Sequence, residues 1–346
     1  PTSEGSEAWI CIHGIVFYWT LVPTSRISQF LAKAVSMQHL ELQPFRAKIT
    51  LEERPYSMMG WRYLPEQDDR IVLWRNTIQL FYQYNRPNFV GPFKAAGFRY
   101  NVEPLFLSSE QGKDLEPDIV ASCETGWLIL ELTTQPKSKE PKLDRYRSID
   151  PRDLSQYGLS VYDGEPDVMT SRLSDNVGDG PYCQITVDNI LKIEKEEYLL
   201  NKRLKYELIK AEGMDLRRLP EIPIAIIPEM AGKWKEIRRG LIEIVMQVFD
   251  PNSDGKTPVQ LVDDGLERLS DKIRPAVRSR LISKVNNAME DLIQNHLSEY
   301  LEFKDGRYRA TEKFKTHHKT MEFIALRLKE WSGIPQTIQA PLFESE

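Results

Sequence analysis

Apolar residues follow helical spacing in some parts of the first 230 residues and strand spacing in others. Helical spacing predicts helices over residues 24–37, 70–84, 140–148 and 188–211. Alternating or continuous apolar runs predict a strand pair in the first segment and further strands over residues 40–52, 98–107, 118–123, 127–133, 182–187 and 222–227. The order of helix, strand, hairpin, helix and strand indicates an α+β fold, with a mixed sheet flanked by helices.

Beyond residue 230 helical patterns dominate. They predict helices over residues 233–249, 258–269 and 275–300. Asp305-Gly306 is a tight-turn signal between two short strand-like runs, residues 300–304 and 307–310. A helical bundle that ends in such a β-hairpin resembles a winged helix, and the hairpin is called the wing below.

Three regions follow from these patterns. Residues 1–66 form an N-terminal α/β segment, residues 67–229 an α+β core, and residues 230–346 a helical C-terminal domain for nucleic-acid binding or interaction. Within the core, residues 150–180 are rich in Asp, Ser, Gly and Pro, which predicts a long irregular insertion. A chain of 346 residues is also longer than a typical single domain.

Composition narrows the functional classes. No apolar run approaches the ~18 residues that a membrane helix needs, so no membrane contact is expected. Three widely spaced cysteines do not suggest a disulfide framework or a zinc site, and a reducing cytoplasm fits them best. The net charge of −5 argues against a protein that coats polyanions, although a local basic face is enough to bind nucleic acid.

Two acids, Asp118 and Glu131, bracket the predicted hairpin. If its turn is centred on Glu124-Thr125, the two acids lie directly opposite each other on one face of the sheet, with Cβ atoms roughly 5 Å apart. Like charges at that distance are unfavourable unless a cation lies between them, and a divalent metal with oxygen ligands is the obvious occupant.

The pattern Pro117-Asp118, a gap, then Glu131-x-Thr133 resembles the PD-(D/E)xK nuclease superfamily, also called restriction-endonuclease-like. The resemblance covers roughly residues 67–227 and implies an αβββαβ core with the motif on a hairpin. It implies hydrolysis of phosphodiester bonds, most readily in DNA, with Mg²⁺ (or Mn²⁺) held by Asp118, Glu131 and the carbonyl of Leu132. Restriction, repair, transposition and antiviral defence are the settings it suggests.

Thr133 stands where that superfamily has a lysine, and a hydroxyl cannot supply its positive charge. Downstream, Lys142-x-x-x-Tyr146 resembles the Gln-x-x-x-Tyr motif of the RecB-like branch. Residues four apart share a helical face, so Lys142 is our candidate for the missing lysine, with Lys137 and Lys139 as rivals.

Further candidates surround this motif. Glu103 is a candidate metal ligand, and Gln135, Tyr146, Lys137 and Lys139 are candidates for contacts with substrate.

Basic residues collect in the C-terminal third, where phosphate contacts would require them. The wing and the residues after it provide the set that we favour for nucleic-acid binding: Lys304, Arg307, Arg309, Lys313 and Lys315. A protein partner that delivers the nucleic acid is a further expectation.

Two other interpretations stay open. The chain can be a nuclease-like module without catalysis that binds nucleic acid or assembles a larger complex, which the absent lysine at Thr133 favours. It can also be a purely structural interaction protein, which would be favoured if the basic residues of the wing were buried or paired with acids.

Overall fold

The computed structural model describes residues 8–12, 15–19, 69–85, 88–107, 114–134, 140–173, 180–220, 222–249, 253–314 and 317–333. The chain divides into two compact units, Pro1–Pro55 and Tyr56–Glu346. In the first unit, β1 (Ala8–Ile12) and β2 (Ile15–Trp19) form an antiparallel hairpin, which confirms the predicted strand pair. The helix and strand predicted over residues 24–37 and 40–52 lie outside the described residues.

A six-stranded mixed sheet is the centre of the second unit, and it confirms the α+β class. Its strands stand in the order β10-β9-β8-β7-β6-β5. β5 to β7 form an antiparallel meander, β7, β8 and β9 run parallel, and β10 is antiparallel to β9. The strands are β5 (Arg99–Val102), β6 (Ile119–Cys123), β7 (Gly126–Leu132), β8 (Asp167–Arg172), β9 (Cys183–Val187) and β10 (Leu191–Glu194).

Helices cover both faces of this sheet. Before β5 come α1 (Asp69–Gln79), the small hairpin of β3 (Gln83–Tyr84) and β4 (Phe89–Val90), and α2 (Pro92–Ala95). The helix α3 (Glu140–Tyr146) connects β7 to β8, and α4 (Lys202–Ala211) follows β10. Alternate residues of β6 and β7 enter two separate apolar clusters, one with α1 and the C-terminal helices and one with α3. Both faces are therefore buried, which explains the nearly continuous apolar runs of these strands.

The helix predicted over residues 70–84 is shorter than expected. It ends at Gln79, and the amides of Leu80, Phe81 and Tyr82 donate to carbonyls three residues back, as in a tight turn. The following residues form β3, which pairs with β4 so that Tyr84 lies opposite Phe89. A Cβ on Gly91 would lie 2.2 Å from the Leu80 carbonyl oxygen, so only glycine allows this turn to close.

Two further predictions in the core are wrong in part. Within the region 150–180, Pro151–Tyr157 forms a 3₁₀ helix and β8 is a fully buried central strand, whereas residues 158–166 lie outside helices and strands and residues 174–179 lie outside the described part of the chain. The polar side chains of β8 hid this strand from the sequence analysis; one of them, Ser171, hydrogen-bonds to Thr77 across 2.7 Å. The helix predicted from residue 188 begins only at Lys202, capped by Asn201, because β10 intervenes and pairs with β9.

The segment over residues 222–227 is buried as predicted but is not a strand. Its apolar side chains belong to the main core, whereas the amides of Ala225 and Ile226 both donate to the carbonyl of Gly265. Apolar β-branched residues therefore identified a buried segment here, but not its hydrogen-bonding partner.

The predicted C-terminal helices and hairpin are confirmed as α5 (Trp234–Met246), α6 (Pro258–Leu266), α7 (Pro275–Leu292), β11 (Leu301–Lys304) and β12 (Arg307–Ala310). A further helix, α8 (His318–Ser332), follows the hairpin and was not predicted. Lys256, just before α6, forms an isolated antiparallel bridge with Tyr308 of β12. These elements belong to the same compact unit as the sheet and share its apolar core. Within the described ranges, every helix is too short or too polar to cross a bilayer.

Candidate active site

The hairpin β6–β7 places Asp118 and Glu131 opposite each other. Ile119 pairs with Leu130 in the antiparallel register, so the next step outward matches Asp118 with Glu131. The turn lies at Glu124-Thr125, as the sequence predicted. Asp118 and Val120 share one face with Ile129 and Glu131, and this face is covered by the apolar cluster that contains α3.

Asp118 is buried at the start of β6. Its Oδ2 accepts a 2.6 Å hydrogen bond from the Leu132 amide, and its main-chain carbonyl accepts one from the Glu103 amide. Burial first, and then the carboxylates of Glu131 and Glu229, raise the pKa of Asp118 to about 7, while the charges of Arg70 and Lys142 oppose the rise. The two hairpin acids are thus close enough to influence each other's charge.

Glu131 is almost completely buried and is held by two residues of α3. The Lys142 ammonium lies 2.6 Å from its Oε1, and the Tyr146 hydroxyl donates to its Oε2 at 2.8 Å. Burial and the nearby Glu131 carboxylate raise the pKa of Tyr146, so its hydroxyl stays a donor. The predicted i, i+4 pair, Lys142 and Tyr146, therefore does contact Glu131.

A second cation, Arg70 at the start of α1, lies beside Asp118. Its guanidinium donates to the Leu132 carbonyl at 2.5 Å and approaches Asp118 Oδ2 at 3.5 Å, while its Nε donates to Glu229 at 2.7 Å. Trp74, one helical turn further, donates its indole N–H to the same glutamate at 2.9 Å. Sequence reasoning missed these three residues, because no local signal connects positions 159 residues apart.

Glu103 lies next to this group, directly after β5. Its backbone has φ of 44°, a left-handed conformation that non-glycine residues adopt rarely and at a cost. Burial first, and then the nearby carboxylates of Glu229 and Asp118, raise the pKa of Glu103 to about 8. A fourth carboxyl group is thus held near the hairpin acids, as the sequence analysis suggested.

The donor types in this site suit Mg²⁺, which prefers carboxylate and carbonyl oxygens and retains several waters. Among the described residues, however, no group of three or more His, Cys, Asp or Glu side chains is arranged to hold a metal ion. Arg70 already donates to Asp118 and to the Leu132 carbonyl, and Lys142 to Glu131. An ion therefore fits the chemistry of these oxygens only if it displaces a cationic side chain from them.

No protein-family model, curated protein or solved structure matches this chain. Inferences about its function therefore depend on its own residues.

The wing carries part of the predicted basic surface. Lys304 is exposed, while the Arg307 guanidinium donates to the Gly255 carbonyl at 3.1 Å. Arg309 pairs with Glu302 at 2.8 Å and Lys313 with Glu299 at 3.3 Å. Exposed ion pairs contribute only about 0–1 kcal/mol, so a phosphate can still compete for these side chains.

Several candidates lie outside the described residues: Gln135, Lys137, Lys139 and Lys315. Thr133, where the resemblance would place a lysine, is buried, and its amide donates to the Ser171 carbonyl of the central strand β8. Thr133 therefore supplies no cation here, whereas Lys142 contacts Glu131 and Arg70 contacts Asp118 and the Leu132 carbonyl.

Proposed function

We propose that this chain is a metal-dependent nuclease of the PD-(D/E)xK type that hydrolyses phosphodiester bonds, most readily in DNA. One observation carries the proposal: Asp118 and Glu131 stand opposite each other on one face of a buried hairpin, each beside a cationic side chain. The order of α1, three antiparallel strands, α3 and a parallel strand supports it, since this is the order of the αβββαβ core.

Asp118, Glu131 and the Leu132 carbonyl would hold Mg²⁺ or Mn²⁺, which polarises the phosphoryl oxygen and lowers the pKa of the attacking water. Tyr146 fixes the orientation of the Glu131 carboxylate through its 2.8 Å hydrogen bond. Lys142, whose side chain is 36% exposed, has access to solvent and to substrate. Its ammonium would stabilise the negative charge that develops on the phosphate, in place of the lysine absent at Thr133.

Nucleic-acid binding is proposed for the C-terminal elements. Three helices followed by a hairpin, with Lys256 bridging to β12, match the order of a winged helix. Lys304 on the wing and Arg280 on α7 are both exposed, as contacts with a phosphate backbone require.

The direct test is cleavage of single-stranded DNA, double-stranded DNA and RNA in Mg²⁺ and in Mn²⁺. Asp118→Asn should reduce cleavage by on the order of a hundredfold or more, because it removes a ligand charge. Asp163→Asn, on an exposed acid, should leave cleavage unchanged and is the matched control. Equal cleavage by Asp118→Asn and the wild type would refute the assignment of the site.

A second candidate is a nuclease-like module that binds nucleic acid without cutting it. The position of Arg70 favours it, because the guanidinium occupies oxygens that catalysis would need for a metal. Two results together would support this candidate. The protein would bind nucleic acid in a gel-shift assay, with binding weakened by Lys304→Glu but not by Lys94→Glu on α2, and it would cleave nothing in either metal. Both lysines are exposed, so the two variants change the same charge at different surfaces.

A further inference from the structure

The guanidinium of Arg70 lies on two of the oxygens assigned above to the metal. It donates to the Leu132 carbonyl at 2.5 Å and lies 3.5 Å from Asp118 Oδ2. This part of the site therefore accepts a cation, and the protein itself supplies one. The guanidinium stays protonated at every physiological pH, so it cannot leave these oxygens by losing a proton.

Glu229 offers the same guanidinium a second acceptor. Both Nε and a terminal nitrogen of Arg70 donate to Glu229 Oε1. The indole N–H of Trp74 donates to Glu229 Oε2 at 2.9 Å and so helps to hold this carboxylate in place. With 21% of its side chain exposed, Arg70 also has room to move toward solvent.

We propose that Arg70 competes with the divalent ion for Asp118 and the Leu132 carbonyl, and that Glu229 retains the guanidinium when the ion enters. The Arg70–Glu229 pair then sets the metal affinity of the site. This inference rests on the proposed function, since it concerns the same metal site. Arg70 acts through the ligands and is a positioning residue.

The physical basis is electrostatic. A divalent ion and a guanidinium repel each other when they lie on the same two oxygens, and this repulsion is only weakly screened in a partly buried site. The ion carries the larger charge and so gains more from Asp118, but it must first displace the guanidinium. Glu229 lowers the cost of that displacement, because the guanidinium keeps a carboxylate partner throughout.

The test is a titration of the full chain with Mn²⁺, with bound ion measured by electron paramagnetic resonance. Arg70→Gln should bind Mn²⁺ about tenfold more tightly than the wild type, because the competing charge is gone. Glu229→Gln should bind Mn²⁺ more weakly, because the guanidinium then loses the carboxylate that would hold it away from Asp118. Arg203→Gln removes an exposed arginine on α4 and should leave the affinity unchanged. Circular dichroism melting curves establish that each variant is folded.

The outcomes separate this inference from the proposed function. If the wild type binds Mn²⁺ and Arg70→Gln binds it equally or less tightly, the competition is refuted while the metal site stands. Tighter binding by Glu229→Gln also refutes it, through a variant that leaves Arg70 in place. If Arg70→Gln binds Mn²⁺ and the wild type does not, the competition is supported, because the guanidinium then excludes the ion completely. If neither protein binds Mn²⁺, the metal-dependent function fails and this inference fails with it.

Discussion

Substitution of Tyr146 by phenylalanine isolates the contribution of α3 to the hairpin acids. The tyrosine hydroxyl donates to Glu131 Oε2 at 2.8 Å, and both side chains are buried. Phenylalanine keeps the ring within its apolar cluster and creates no cavity, but it leaves one oxygen of a buried carboxylate without this donor. Lys142 still pairs with the other oxygen, so the carboxylate keeps a cationic partner.

The expected loss follows from the type of bond removed. A hydrogen bond to a charged group is worth about 1.5–3 kcal/mol, so Tyr146→Phe should lower the free energy of unfolding by about 2 kcal/mol. Urea denaturation followed by circular dichroism measures this difference. Tyr206→Phe is the matched control, since that side chain is 63% exposed and should change stability by less than about 0.5 kcal/mol. A loss for Tyr146→Phe no larger than that of the control would show that the hydrogen bond to Glu131 does not stabilise the fold.

Two further predictions concern packing and pH. Gly240→Ala should lower the free energy of unfolding by about 1–3 kcal/mol, because the new Cβ would lie 2.2 Å from the Ala225 carbonyl oxygen. Gly232→Ala is the control: its Cβ would have no atom within 4 Å, so it should lower the free energy of unfolding far less in the same denaturation assay. Folding raises the pKa of Glu103 from 4.5 to about 8, mainly through burial. Between these pH values the folded protein holds a proton that the unfolded chain releases, so this group makes stability fall as pH rises. Glu103→Gln should flatten that part of the stability–pH curve measured by thermal melting, and an unchanged slope would contradict the assignment.

The hairpin shows how much local sequence can determine. Two apolar runs separated by Glu124-Thr125 fix the turn, and the turn fixes the register that sets Asp118 opposite Glu131. The spacing of Lys142 and Tyr146 likewise predicted a shared helical face, and both contact Glu131. These predictions depend on interactions between residues a few positions apart, which periodicity and turn chemistry describe well.

Local sequence was less informative where the sheet itself supplies the stabilising partners. The strand β8 is polar in sequence, yet all of it is buried, because β7 and β9 pair with its backbone and Thr77 satisfies Ser171. Its polar pattern predicted an irregular loop. Conversely, the apolar run over residues 222–227 predicted a strand, although its amides donate to Gly265.

The sequence by itself determined the α+β class, the hairpin with its two facing acids, and the helices and wing of the C-terminal region. Only the tertiary structure brought Arg70 and Glu229 to those acids, from positions 159 residues apart. The physical reason is that the charge balance of a buried site depends on every element that packs around it, whereas periodicity and turn signals report only on neighbours along the chain.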